Sequence, residues 1–168
     1  IIMDVVAIDD GRKNHEKVKM IRDLRPDMIL IAGGTDGGDV THVVVTAELV
    51  RSAGTKPRLG SQFRLPIVYA GNKSIQNIID RILGEKYALK MVDNIRPTLE
   101  QENAEPARNT IHELFMEHVM SHAPGYDKLM KWTSVPIMPT PAAEGAMFRV
   151  LAEAYGANVI GVGLGGAT

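Results

Sequence analysis

The feature that most constrains the fold is an alternation of short apolar segments with helical patterns over the first 92 residues. Apolar stretches typical of buried strands occupy residues 1–8, 27–32, 65–70 and 86–92. Helical patterns separate them at residues 14–24, 41–53 and 75–83. A strand–helix–strand order of this kind predicts a parallel sheet with helices packed on its faces.

The predicted helices differ in how clearly the pattern defines them. The helix over residues 75–83 places its apolar residues at helical spacing and ends at Gly84. Asn14 is a candidate cap for the helix over residues 14–24, and Pro26 stops it. The helix over residues 41–53, with Gly54 as its C-cap, contains three consecutive valines. Those valines leave a strand open as the alternative there.

The character of the chain changes after residue 94. A long helix begins at Glu105 and Pro106, and a short helix follows through Trp132. Residues 140–155 form a helical pattern with a face of small residues, and residues 158–162 read as a final strand. We therefore predict an α/β fold, with a parallel-sheet three-layer α/β/α domain over residues 1–94 and a helical segment over residues 95–168.

Composition excludes several classes of function. The chain has 19 basic and 20 acidic residues and a net charge of -1, which argues against electrostatic binding of nucleic acid. The absence of cysteine excludes disulfides, thiol catalysis and cysteine–zinc sites. No apolar run is long enough to span a bilayer, and no signal-peptide pattern is present, so we expect no membrane partner.

Glycine and polar residues follow the predicted strands. In parallel sheets, ligands bind beyond the carboxyl ends of the strands. Residues 9–10, 33–38, 71–72 and 93–94 all follow predicted strands, so they are expected to form one rim. The residues predicted to contact a ligand or a partner there are Gly33, Gly34, Thr35, Asp36, Gly37, Gly38 and Asn72.

The glycine loop at residues 33–38 has two interpretations. Four glycines before a helix N-terminus could bind an anion through backbone amides. However, the loop has no lysine of the Walker type, and its spacing does not match the dinucleotide fingerprint. A tight turn in which Asp36 or Asp39 caps the following helix is therefore favoured over a nucleotide loop. Because four glycines are entropically costly, we still expect the loop to serve some contact.

The remaining candidates for chemistry are sparse. His118 and His122 are four residues apart on a helix, but no carboxylate ligand is evident beside them, so solvated histidines are favoured over a metal site. Asp9 and Asp10 are read as turn and cap residues rather than a catalytic pair. No serine has a nucleophile-elbow context, so a stand-alone enzyme is not expected.

Five ordered peptides resemble the MutL/GlmL family of accessory proteins of adenosylcobalamin-dependent glutamate mutase and related aminomutases. They span essentially the whole chain: RPDMILIAGGTDGG (25–38), PIVYAGN (66–72), DNIRPTLEQENAEPAR (93–108), MPTPAA (138–143) and VIGVGLGGAT (159–168). The family looks like part of the acetate and sugar kinase, Hsp70 and actin superfamily of ATPases. The resemblance implies a cytoplasmic reactivating chaperone that uses ATP and Mg²⁺.

The resemblance also implies how this chain relates to such a protein. Ile1 does not follow an initiator Met, and both ends look cut, so we expect a fragment of a longer parent. Residues 1–94 would be an inserted, swivelling-type domain, and residues 95–168 would lead into the ATPase domain. The nucleotide-phosphate residues in the parent would be Gly165, Gly166, Ala167 and Thr168. Judged by spacing alone, residues 163–168 are equally compatible with a phosphate-binding hairpin and with a simple turn.

One departure from the family pattern concerns Gly163, which stands where the family usually has Asp, so hydrolysis at this motif is in question. The expected function is a non-catalytic interdomain or partner-contact module. Its partner would be an adenosylcobalamin-dependent mutase subunit, and a homo-oligomer is allowed. No tightly bound cofactor is expected on the fragment. The alternative is an α/β domain that itself binds a small ligand such as a nucleotide, phosphate or cobalamin.

Overall fold

Three short strands form a parallel sheet at the centre of the first part of the chain. The computed structural model describes residues 2–58, 63–118, 124–135 and 137–165. The strands β1 (Ile29–Ile31), β2 (Pro66–Tyr69) and β3 (Ala88–Met91) lie in the order β1-β2-β3. In the register, Ile29 lies opposite Ile67, and Ile67 lies opposite Leu89. The predicted α/β class with a parallel sheet is confirmed.

Helices connect and follow the strands much as the sequence pattern predicts. Their bounds are α1 (Asn14–Leu24), α2 (Thr41–Ala53), α3 (Gln76–Leu83), α4 (Glu105–His118), α5 (Tyr126–Met130) and α6 (Thr140–Tyr155). A single 3₁₀ turn, Lys73–Ile75, precedes α3. Gly54 ends α2 in the left-handed conformation, with φ of 62°. The strand alternative for the valines of α2 is therefore wrong.

The main core lies between the sheet and helices α2 and α3. Its buried members are Ile31, Val43, Ala47, Val50, Ile67, Tyr69, Ile79 and Leu83, among others. Val43, Ala47 and Val50 recur at helical spacing, so one face of α2 is buried as a helix despite the β-propensity of valine. Each large apolar side chain buried here contributes about 1.5–3 kcal/mol to stability.

Helix α4 covers β2 as well. Alternate residues of a strand point to opposite faces, so Val68 points away from the core that contains Ile67 and Tyr69. Val68 is nevertheless fully buried, and α4 contacts β2. Ala107 and Leu114 are the buried residues of α4. The central strand is thus covered on both faces, as an apolar strand with no exposed position requires.

Two predicted strands do not form in the described residues, and both predictions are wrong. Ile2 and Val5 of the predicted strand over residues 1–8 are 83% and 66% exposed, and no strand is assigned between residues 2 and 8. Residues 158–162 likewise form no strand, and Ile160 is 94% exposed. Apolar sequence alone does not make a strand, because the ladder of backbone hydrogen bonds needs a neighbouring strand.

The chain divides into two compact units, whose described residues are 2–58 and 63–118 in the first and 124–135 and 137–165 in the second. The second unit contains α5 and α6. Helix α6 has no buried residue, although residues 161 and 163 approach the side chains of Phe148 and Glu144. In the described parts of both units, no helix is long and apolar enough to cross a membrane.

Candidate functional site

Three loops meet where the strands of the sheet end. Residues 33–38 follow β1, Asn72 follows β2 and Asn94 follows β3. The Asn72 amide donates to the Gly33 carbonyl at 3.1 Å, and the Ile95 amide donates to the Ala70 carbonyl at 3.0 Å. We call the following set of residues the rim: Gly33, Gly34, Thr35, Asp36, Gly37, Gly38, Asn72 and Asn94.

Asn72 is the central residue of the rim. Its side chain is fully buried, and its Oδ1 accepts hydrogen bonds from the Gly37 amide at 3.1 Å and from the amide and hydroxyl of Ser74 at 2.9 and 2.7 Å. Its Nδ2 donates to the Gly38 carbonyl at 3.2 Å. The carboxamide therefore joins the glycine loop to the 3₁₀ turn that precedes α3, because it offers both an acceptor and a donor in one rigid group.

Asn94 and Asp36 form the second connection within the rim. The buried Asn94 donates its Nδ2 to the Gly34 carbonyl and to Asp36 Oδ1, both at 2.9 Å. The Lys73 amide donates to the same Asp36 oxygen at 2.9 Å. These hydrogen bonds, that of Lys73 foremost, lower the pKa of Asp36 below its ordinary value, because they favour the ionised carboxylate. Asp36 is thus held as an anion that joins all three loops.

Tyr69, the last residue of β2, packs against the rim from the side of the sheet. Its hydroxyl donates to the Asn72 carbonyl at 2.9 Å. Burial, with a further contribution from the Asp36 charge, raises the pKa of Tyr69 to about 12. The hydroxyl therefore stays protonated at neutral pH and acts as a hydrogen-bond donor. Its ring fills the space beside Gly71, where a Cβ would lie 3.0 Å from the Tyr69 oxygen and 2.7 Å from the Gly33 carbonyl.

The glycines of the loop have different structural roles. Gly34 and Gly37 both adopt positive φ angles, 69° and 76°. A Cβ on Gly34 would lie 2.8 Å from the Asp39 carbonyl oxygen, whereas a Cβ on Gly37 would meet nothing within 4 Å. Gly34 is therefore needed for both its backbone conformation and its lack of a side chain, and Gly37 for its conformation alone.

The start of α2 is stabilised by Asp39, one of the two predicted capping residues. Asp39 Oδ1 accepts a hydrogen bond from the Thr41 amide at 2.6 Å, and hydrogen bonds to Thr41 lower the pKa of Asp39. Asp39 thus satisfies the first amide of the helix, although the N-cap residue of α2 is Val40 and Asp39 precedes it. For Asp36 the prediction of a cap is wrong, because its side chain accepts from Lys73 and Asn94 instead.

Three of the six backbone amides of this loop, those of Asp36, Gly37 and Gly38, already have acceptors within the protein. The amides of Asp36 and Gly38 donate to the carbonyls of Pro97 and Thr35, each at 3.0 Å. The Gly37 amide donates to Asn72 Oδ1. A phosphate group would have to displace three hydrogen bonds to reach them. The exposed charges of this region, Asp36 and the ion pair of Lys73 with Asp93, are instead available to an external partner.

One predicted pair of residues does not belong to the rim. Asp9 and Asp10 were expected there as the end of a first strand, and that expectation is wrong because the strand is not formed. Asp10 instead accepts from Arg12 Nη2 at 2.6 Å and pairs with the buried Lys17 at 2.9 Å. Arg12 holds the pKa of Asp10 well below its ordinary value. The turn reading of Asp10 is supported, and its network attaches the N-terminal segment to α1.

The other predicted sites lie partly outside the residues that the structure describes. Gly165 is exposed, and the remaining predicted phosphate residues, Gly166, Ala167 and Thr168, lie outside the described residues. His122 also lies outside them. Within the part of the chain that is described, no group of three or more histidine, aspartate or glutamate side chains could hold a metal ion.

Asn94 was predicted to lie at the rim but not to contact a ligand or partner, and Tyr69 was not predicted there at all. Asn94 carries the same signal as Asn72, since each follows a strand of the same sheet. Nothing in the sequence around Tyr69 distinguishes a tyrosine that supports a loop from one that only fills the core.

Comparisons with known proteins give one consistent result. A family model described as "MutL protein" matches residues 1–168. A curated relative, "Protein MutL" of Clostridium tetanomorphum, is 34% identical over 173 residues, an alignment that covers 99% of this chain and 35% of the relative. The chain thus spans about a third of the length of that relative. No solved structure matches.

Proposed function

The chain belongs to the MutL family, and from that premise we propose that it is a non-catalytic contact module of an accessory protein for an adenosylcobalamin-dependent mutase. The proposal for the longer protein is that it uses ATP and Mg²⁺ to reactivate the mutase. Within that protein, this module would contact the mutase or another domain. The phosphate-binding role of Gly165, Gly166, Ala167 and Thr168 is part of the same proposal.

The observation that carries the proposal is the closed state of the rim. Two buried asparagine side chains, Asn72 and Asn94, form hydrogen bonds to the Gly37 amide and to the carbonyls of Gly34 and Gly38 in the glycine loop. The loop thereby becomes a preorganised surface rather than an open ligand cleft. A preorganised surface loses little conformational entropy when a protein docks on it, which favours a role in contact.

Helix α6 adds a second reason to expect contact with protein. Its side chains Met147, Val150 and Leu151 are exposed, and the helix has no buried residue. Their positions at helical spacing place them on one face. Exposed apolar faces of this kind are typical of surfaces that another protein or domain covers.

A second candidate function is a small-ligand domain. The observation in its favour is the position of the glycine loop, at the carboxyl ends of parallel strands and directly before α2, which is where such sheets commonly bind ligands. In this alternative the ligand would have to open the hydrogen bonds that Asn72 makes to Gly37 and Gly38.

Binding measurements on the 168-residue chain distinguish the two candidates. Isothermal titration with ATP and Mg²⁺, and separately with cobalamin, should give no saturable heat under the contact-module proposal. Surface plasmon resonance with purified adenosylcobalamin-dependent glutamate mutase should give saturable binding. Saturable ATP or cobalamin binding that Gly37→Val abolishes, without binding of the mutase, would support the ligand domain instead. Asn77→Ala, at an exposed position on α3, is the control.

A further inference from the structure

The opposite end of the sheet from the rim carries a concentration of cationic side chains. The strands begin at this end, and helices α1, α2 and α3 finish there. We call the following exposed residues the basic edge: Arg22, Arg51, Lys56, Arg58, Arg64 and Lys86.

Hydrogen bonds bring the members of the basic edge together. Arg22 donates from Nε to the Ala53 carbonyl at 3.0 Å and from Nη2 to the Ser52 carbonyl at 3.2 Å. Lys86 donates to the Arg51 carbonyl at 3.0 Å. Both cations therefore bind the last turn of α2, whose unpaired carbonyls and dipole attract positive charge.

Two further arginines extend the basic edge along the starts of the strands. Arg64 lies two residues before β2 and contacts the carbonyl of Gly84, the residue that ends α3, at 3.4 Å. Arg58 pairs with Asp27, two residues before β1, at 3.4 Å. Because the strands are parallel, their starts lie along one edge of the sheet, and the cations follow that edge.

The charge of the basic edge is only partly compensated by nearby acids. A carbonyl oxygen fixes a cation in place but leaves its formal charge unbalanced. Among the described residues, no carboxylate lies within ion-pair distance of Arg22, Arg64 or Lys86. The acids at this end are Asp23, which pairs with Lys19, Asp27, which pairs with Arg58, and Asp80 and Glu85. The six cations outnumber them.

We propose that the basic edge docks an acidic surface of the partner protein, so that this end, rather than the rim, makes the electrostatic contact. The inference rests on the proposed function as a contact module and names the face and the chemistry of its partner. A protein surface fits better than nucleic acid, because the chain as a whole has a net charge of -1 and the rim end carries the carboxylates of Asp36 and Asp39.

 The carboxylates of Asp36 and Asp39 would repel a polyanion from the rim end, where Asp93 is paired with Lys73. The excess of cations at the basic edge would orient an acidic protein as it approaches.

The test compares two triple variants with the same change of charge. The first is Arg22→Gln, Arg64→Gln and Lys86→Gln, in which glutamine retains a hydrogen-bond donor. The matched control is Lys90→Gln, Arg96→Gln and Arg108→Gln, which removes three exposed cations elsewhere. A second basic-edge variant is Arg51→Gln with Lys56→Gln. In the described part of the chain these exposed side chains make no hydrogen bond to a helix end, so the variant tests the same edge if the first one unfolds.

Two probes are used with each variant: a fluorescent polyglutamate peptide, measured by anisotropy, and purified glutamate mutase, measured by surface plasmon resonance. We expect the basic-edge variants to weaken binding of both probes about tenfold at low salt, and the control to change it less than about twofold. High salt should reduce binding of the unaltered chain and narrow the difference between the variants.

The outcomes separate this inference from the proposed function. Mutase binding that the basic-edge variants leave unchanged overturns the inference and leaves the contact module standing. Peptide binding that depends on the basic edge, without any binding of mutase, supports the edge and counts against the mutase role. Equal losses in the basic-edge and control variants, or no peptide binding by the unaltered chain, also overturn the inference.

Discussion

The two ends of the sheet are organised by different chemistry. At the rim, short neutral side chains such as Asn72 and Asn94 are buried and bond to backbone groups of several loops. At the basic edge, long cationic side chains such as Arg22 and Lys86 stay exposed and bond to the ends of helices. The rim side chains are therefore part of the buried structure that holds the fold together. The side chains of the basic edge lie on the surface and contribute charge rather than packing. Substitutions at the two ends should therefore differ in their effect on stability.

The largest effect is expected for Asn72→Ala. This change removes the carboxamide that bonds to Gly37, Ser74 and Gly38 and leaves their polar groups with fewer partners. We expect it to lower the free energy of unfolding by about 3 kcal/mol, measured by urea denaturation. Asn77→Ala on the exposed face of α3 is the control and should cost less than about 1 kcal/mol. Equal effects of the two changes would contradict the central role of the Asn72 hydrogen bonds in the rim.

Two glycine substitutions in the rim should differ in how much they destabilise the fold. Gly34→Ala places a Cβ 2.8 Å from the Asp39 carbonyl oxygen, in addition to the strain of a positive φ angle. Gly37→Ala has the same kind of φ angle but open space around the new Cβ. We expect losses of about 2 and about 1 kcal/mol respectively, measured by thermal and urea unfolding. The order of the two is the decisive result, and the reverse order would contradict the contacts assigned to Gly34.

A smaller effect, dependent on pH, is expected for Asp36→Asn. The folded state lowers the pKa of Asp36 from its ordinary value of 3.8, so the ionised carboxylate stabilises the fold above that pH. The contribution is lost as the pH falls through the lowered folded value. The unaltered chain should therefore be more stable than Asp36→Asn at pH 7, and the difference should shrink as the pH falls below 3.8.

Urea unfolding at a series of pH values measures this difference, with Glu100→Gln as an exposed control. A difference that stays constant from neutral to acid pH would show that the charge of Asp36 does not stabilise the rim.

The smallest effect is expected at the basic edge. Lys86→Ala removes one exposed cation from the end of α2, so the free energy of unfolding should fall by no more than about 1 kcal/mol. Thermal unfolding at low and high salt measures the change, with Lys90→Ala as the control. A loss as large as that of Asn72→Ala would break the contrast between the two ends.

Much of the fold could be predicted from local pattern. The bounds of α2 and α6 agree with their predicted ranges because apolar or small residues recur at helical spacing and glycines follow both helices, although the valines of α2 also fitted a strand. The strands over residues 1–8 and 158–162 could not be judged in this way. An apolar run has the same appearance whether or not another strand is present to pair with it.

The rim was predictable in its location but not in its internal chemistry. The topology of a parallel sheet brings the residues after its strands to one edge, so residues 33–38 and Asn72 were expected to be neighbours. Which polar groups of the loop can bind a ligand depends on the hydrogen bonds that the Asn72 and Asn94 side chains form. The hydrogen bond between Gly37 and Asn72 spans 35 positions of the sequence, and that between Gly34 and Asn94 spans 60. Local sequence pattern carries no information over such separations.

The sequence by itself determined the helical periods and the glycine positions that allow turns, because each depends on residues close together in the chain. Only the tertiary structure decided which apolar segments became strands and which polar groups were used up at the rim. It also decided which cations came together at the basic edge. Those outcomes depend on partners that are distant in sequence and meet only when the sheet is assembled.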